Sequence, residues 1–149
     1  MQREALLLSV RPAFVERILD GTKTAELRRV RPGARPGQDV LIYSSSPTMA
    51  LLASAVVERV DADVPENLWR QVRHAAGVSW DEYTAYFAGA ERAAAIWLSD
   101  VTAFERPISL HELRERWPWF RPPQSYCYVR AHVDLPKRRI RSLAPRFGV

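Results

Sequence analysis

Lysine is almost missing. Of the 22 basic residues in this 149-residue chain only Lys23 and Lys137 are lysine. Positive charge is carried by arginine, whose planar guanidinium makes bidentate contacts to phosphate and stacks on bases; a GC-rich coding bias would give the same excess. Cysteine occurs once, as Cys127 between Tyr126 and Tyr128, which leaves no intrachain disulfide and reads as a strand residue turned inward. No apolar run approaches the roughly 20 residues needed to cross a bilayer. The one near the start, EALLLSV, is shorter than a secretory core and is followed by no small-residue cleavage site. A cytoplasmic protein with no membrane partner is therefore expected, and a monomer is the default.

The usual catalytic signatures are missing too. His74, His111 and His132 stand far apart, none beside a second histidine or a cysteine at ligand spacing. There is no phosphate loop, dinucleotide fingerprint or G-x-S-x-G elbow. Neither a metal nor a cofactor is expected.

What is present is the composition of one globular domain, 47% hydrophobic and 26% charged. A chain of this length buries roughly 68–70% of its unfolded surface and needs no covalent staple. The net charge of +5 is unevenly spread. Lys137, Arg138, Arg139, Arg141 and Arg146 follow Asp134 with no further acid, and these five equal the whole excess. In the neutral remainder, Arg11, Arg17, Lys23, Arg28, Arg29, Arg31 and Arg35 form an early basic stripe against Glu16, Asp20 and Glu26. An anionic partner fits this layout.

Local patterns divide the chain into short elements with no repeat among them. EALLLSV (4–10) is a strand, and PAFVERILDG places Pro12 at a helix start and Gly21 past its end, with Phe14, Val15, Ile18 and Leu19 on one buried face. TKTAELRRV (22–30), DVLIYSSS (39–46) and ALLASAVVERV (50–60) read as strands. Period two sets Thr24, Glu26 and Arg28 on one face and Lys23, Ala25 and Leu27 on the other. Two helices follow, one opened by Pro65 and one capped by Ser79 with Glu82. A strand over 93–104, a helix capped by Ser109 with Glu112, and a strand over 125–133 complete the chain. Strands interrupted by inserted helices, without regular alternation, predict an α+β fold on a small mixed, partly closed barrel.

Three segments carry candidate chemistry. In GTKTAELRR (21–29), Lys23, Glu26, Arg28 and Arg29 are either a weak surface ion-pair ladder or one wall of a cleft in which lysine or glutamate moves protons. YSSSP (43–47) ends a strand with Tyr43, Ser44, Ser45 and Ser46, suited either to an ordinary turn or to contacting phosphate and base. In PPQSYCY (122–128), Gln124, Ser125 and Tyr126 pose the same alternative. RWPWF (116–120) offers aromatics that either close the barrel end or meet a partner protein.

Taken together, LLLSVRPAFVERILDGTKTAELRR, DVLIYSSSP and PPQSY resemble the ASCH domain family, a branch of the PUA-like barrels. The specific part is a strand ending in S-[IV]-[KR]-P, a helix, then G-x-K-T-x-E-x-R, matched by Ser9, Val10, Arg11, Pro12, Gly21, Lys23, Thr24, Glu26 and Arg28. The resemblance implies a PUA-like small mixed β-barrel with flanking helices over residues 1–136, followed by a basic tail at 137–149. It also implies a cleft for RNA or single-stranded nucleic acid, with a regulatory role, lined by Arg11, Lys23, Thr24, Glu26, Arg28, Arg29, Tyr43, the adjoining serines 44–46, Gln124, Ser125 and Tyr126. Some relatives are hydrolases, which makes Lys23, Glu26 and Tyr43 the catalytic candidates. One branch hydrolyses N4-acetylcytidine with the motif lysine and a threonine nucleophile two residues beyond the K-T pair. Here that position is Glu26, which has no hydroxyl to activate. Binding therefore ranks above catalysis, and a ribonuclease above an amidohydrolase.

Overall fold

The computed structural model describes residues 4–130 and 140–142. In chain order the elements are β1 (Ala5–Val10), α1 (Pro12–Leu19), β2 (Ala25–Arg28), β3 (Asp39–Ser44), β4 (Ala50–Asp63), α2 (Pro65–Val72), α3 (Trp80–Tyr86), β5 (Ala93–Ser109), α4 (Leu110–Arg116), β6 (Tyr126–Val129) and β7 (Ile140–Ser142). The helix starts follow their local signals. Prolines open α1 and α2, and Ser79 and Glu82 form a reciprocal capping box on α3, with bonds of 2.9 and 3.1 Å. At α4 the Ser109 hydroxyl accepts the Glu112 N–H at 3.1 Å.

The strands form one mixed sheet in the order β2-β5-β4-β3-β1-β6, with β7 paired to β5. Among the described residues only β1 and β3 run parallel, with Leu8 opposite Ile42. A parallel pair needs a crossover, and residues 11–38 supply it, carrying α1 and β2 to the far edge of the sheet. β4 and β5 are long strands of 14 and 17 residues whose pairing is interrupted by irregularities at Leu51/Ala53, Ser54/Val56 and Val57/Arg59. Such bulges bend and twist a ladder, and the sheet curls into a half-barrel accompanied by four helices.

Both faces of the central strands are covered. Leu6, Leu8 and Val10 pack with Val40 and Ile42, with Ala53, Ala55 and Val57, and with Val15 and Ile18 of α1. On the other face Ala5, Leu7, Leu41, Tyr43 and Leu51 meet Leu110 and Leu113 of α4. A third cluster joins Ala25 and Leu27 to Leu68 and Val72 of α2 and to Tyr83 and Phe87 at α3.

The expected α+β class and element order hold, but one expectation needs correcting. β2 begins at Ala25, so strand periodicity does not reach Lys23. The Lys23 N–H is held by Arg17 O at 2.9 Å, and the Thr24 and Ala25 N–H groups share Ala75 O at 2.8 and 3.0 Å. Docked onto the loop after α2, the chain turns Lys23 to the same side as Glu26. Residues 131–133 of the expected last strand lie outside the described residues, as does the expected tail 137–149 apart from its strand at 140–142.

Candidate functional site

A cleft of about 610 Å³ opens where the ends of β1 and β2, the start of α1, the turn after β3, the helix α3 and the approach to β6 meet. Its volume suits a small ligand. Three charged side chains form the floor. Lys23 and Glu26 are each 2% exposed and Arg28 7%. Glu26 lies between the two cations, its Oε2 at 2.8 Å from Arg28 Nη1 and its Oε1 at 3.3 Å from Lys23 Nζ.

The backbone fixes both cations. Lys23 Nζ donates to Ala76 O at 2.6 Å and lies 5.1 Å from the centre of the Phe14 ring. Arg28 donates through Nη1 to Leu27 O at 2.8 Å and through Nη2 to Ser9 O at 2.9 Å, while its buried Nε has no partner. Lys23 reaches Ala76 because residue 77 is glycine, with φ of +63°; a Cβ there would stand 2.7 Å from Lys23 Cβ. Arg17 secures the same loop, donating to Gly77 O at 2.6 Å.

Burial holds the Lys23 ammonium below its usual pKa; Glu26 opposes that shift, and the nearby Arg28 and Arg17 charges add to it. With Lys23 protonated the floor carries two cations against one carboxylate, a net positive site in low dielectric. With Lys23 neutral it supplies a lone pair. The walls are apolar, from Val10, Phe14, Leu27 and Val78, and the tyrosines of α3. Tyr83 is buried, its hydroxyl donates to Pro65 O at 2.7 Å, and desolvation pushes its pKa up to about 12. Tyr86 is 40% exposed and offers a ring to solvent.

Of the residues expected at the site, Arg11, Lys23, Glu26, Arg28, Ser45, Gln124 and Ser125 line the cleft together. Thr24, Arg29, Tyr43, Ser44, Ser46 and Tyr126 are not in its lining. Tyr43 alternates with Ile42 along β3 and so enters the core against α4, where burial raises its pKa. Ser44 is fully buried and its hydroxyl has no partner. Ser46 is exposed and precedes a cis bond to Pro47. Arg29 donates to Tyr86 O at 3.0 Å and Ala88 O at 3.3 Å, fastening the end of α3. Tyr126 packs against the cluster that Leu6, Leu8 and Val10 form with α1, and Thr24 is exposed.

Residues not anticipated include Ser9, Phe14, the apolar wall residues and the α3 side chains Glu82, Tyr83 and Tyr86. The i, i+3 spacing of Tyr83 and Tyr86 is visible in the sequence, but nothing local says what that helix face covers. Among the described residues no three histidine, cysteine or acidic side chains gather as a metal-binding group.

The ASCH domain profile matches residues 8–108. A curated relative, the ASCH domain-containing ribonuclease of Zymomonas mobilis subsp. mobilis, is 33% identical over 128 residues, 86% of each chain. The crystal structure of the ASCH protein from Zymomonas mobilis superposes with a TM-score of 0.80 at 32% identity, covering 86% of this chain and 89% of that one. A tyrosine-to-phenylalanine variant of it gives 0.81 at 32% identity, covering 86% and 91%. On this family profile, this level of identity and this shared PUA-like α+β half-barrel, the chain belongs to the ASCH domain family.

Proposed function

We propose that this ASCH domain binds single-stranded RNA, with one phosphate drawn to the Lys23–Glu26–Arg28 floor and the adjoining base against Tyr86. The observation that carries this reading is the net positive, nearly dry trio beneath an open cleft, including an Arg28 Nε with no partner. A buried excess cation favours an anionic ligand, and charge-assisted bonds to phosphate are strong. Serine hydroxyls and the Gln124 amide at the rim suit sugar and base edges, and an aromatic face stacks any base. The ribonuclease-named relative supports RNA over other polyanions. In this reading residues 1–136 carry the binding domain, β7 of the segment that follows completes its sheet, and the basic charges of 137–149 add sequence-independent affinity.

Hydrolysis is the second reading, favoured by the lowered Lys23 pKa. Neutral Lys23 takes the proton of a ribose 2′-hydroxyl, the O2′–P bond forms as P–O5′ breaks to leave a 2′,3′-cyclic phosphate that water later opens, and the leaving O5′ takes a proton from water, whose hydroxide recovers the proton from Lys23. Arg28 offsets charge on the phosphoryl oxygens. Glu26, held between two cations, orients them. Tyr43 lies in the core and has no part in this reading.

Anisotropy titration of labelled single-stranded RNA at low salt tests the first reading. Arg28→Ala should weaken binding roughly tenfold or more, while Arg70→Ala, exposed on α2, should leave it unchanged. No binding by the intact chain overturns it. For hydrolysis, cleavage should accelerate with pH as Lys23 loses its proton, in a window below 10.5. Undiminished turnover by Lys23→Met rules that step out.

A further inference from the structure

Beyond the cleft, one aromatic side chain among the described residues is displayed to solvent more openly than the rest. Trp119 is 73% exposed, the most exposed large hydrophobic of the described residues. It rests on Trp117, with ring centroids 6.3 Å apart and planes within 29°. Trp117 in turn meets Phe120, which is 2% exposed and anchors the segment in the core beside α4. The Arg114 Nε donates to Phe120 O at 3.2 Å and fixes the turn. Pro118, Pro122 and Pro123 stiffen the chain on both sides. The ring is therefore held outward on a rigid support, which lowers the entropy cost of stacking something on it.

Its position ties it to the cleft at both ends of the segment. Upstream, the first N–H of α4, that of Leu110, donates to Met49 O at 2.9 Å, in the turn that carries Ser45 to the cleft rim. Downstream, residues 121–123 lead directly into Gln124 and Ser125 on the rim, where Ser125 O accepts the Ser9 N–H at 2.9 Å. Four residues lie between Trp119 and Gln124, so their α-carbons are at most about 18 Å apart.

The surroundings choose the partner. Arg121 follows the ring two residues on and is exposed, and from Trp117 through Ser125 there is no acidic residue. A protein interface needs on the order of 800 Å² per partner with an apolar centre. A single exposed ring with an exposed arginine close by in the sequence instead matches the pairing of cation and aromatic that holds unpaired nucleic acid. We propose that Trp119 and Arg121 form a second contact for single-stranded nucleic acid, holding the strand where it leaves the cleft past Gln124 and Ser125. This rests on the cleft reading, and one experiment separates the two.

Binding of a dinucleotide and of a single strand of about ten nucleotides, a length within the range of such sites, is measured for the intact chain, Trp119→Ala, Trp119→Tyr and Arg28→Ala. Trp119→Ala should weaken the longer strand by at least about fivefold and leave the dinucleotide unchanged. Trp119→Tyr should retain most of the affinity, and Arg28→Ala should weaken both ligands. Equal affinity of Trp119→Ala and the intact chain for the longer strand overturns the platform while the cleft reading stands. Failure of the intact chain to bind either ligand overturns the cleft reading and the platform with it. A change of oligomeric state on Trp119→Ala, with RNA binding unaltered, assigns the ring to a protein interface and also overturns it.

Discussion

Glu26 neutralises part of a positive pair that would otherwise have no reason to be buried together. Its two oxygens serve different cations, Arg28 at 2.8 Å and Lys23 at 3.3 Å. Glu26→Gln keeps the shape and removes the charge, leaving two buried cations uncompensated. A loss of about 3–5 kcal/mol is expected, read as a lower urea midpoint at neutral pH, and an unchanged midpoint would mean that the trio is not electrostatically coupled. The loss should also depend on pH. The folded pKa of Lys23 lies below its ordinary 10.5, so between the two values the unfolded chain holds the proton more firmly. Folding stability gains as pH rises through that window, and the Glu26→Gln deficit should shrink there as one of the two cations disappears.

The α2–α3 connection acts through its backbone. It supplies Ala75 O to residues 24 and 25 and Ala76 O to Lys23, and it can lie so close only with glycine at 77. Gly77→Ala should cost about 2–4 kcal/mol, combining the left-handed backbone with the clash against Lys23, and should abolish cleft binding. Gly89, with φ of +77° and open space around its α-carbon, is the comparison. Gly89→Ala should show only the backbone part, about 1–2 kcal/mol in a denaturant melt, and bind RNA normally. The same connection marks the boundary of what is legible in the sequence. Helix starts at Pro12, Pro65, Ser79 and Ser109 are readable because capping is decided within four residues. The direction of Lys23 is not, because it depends on residues 75–77, more than fifty positions away. The surroundings of Tyr43 are hidden for a related reason. Both faces of β3 are buried, so its alternation gives no sign of which face looks toward the cleft. The roof from α3 is equally hidden, since amphipathicity says that a face is covered but not by what.

At the scale of the whole molecule the charge is divided between a dry floor and a basic end. Replacing Lys137, Arg138, Arg139, Arg141 and Arg146 with alanine removes the entire net excess of +5. For single strands the logarithm of affinity falls with the logarithm of salt by about 0.7 per phosphate neutralised. The variant with all five replaced should therefore show a shallower salt slope for long RNA, by about 0.7 for each phosphate it no longer neutralises, with dinucleotide affinity unaltered. An unchanged slope would remove the basic end from the binding surface. The cleft itself is anchored differently: Lys23 and Arg28 are cradled by the main-chain oxygens of Ala76, Leu27 and Ser9. A carbonyl is common to every amino acid. The grip on the two cations therefore comes from where the main chain runs and not from which side chains those three residues carry, provided each still packs in its place, so the site is written as a path of the chain as much as a string of letters.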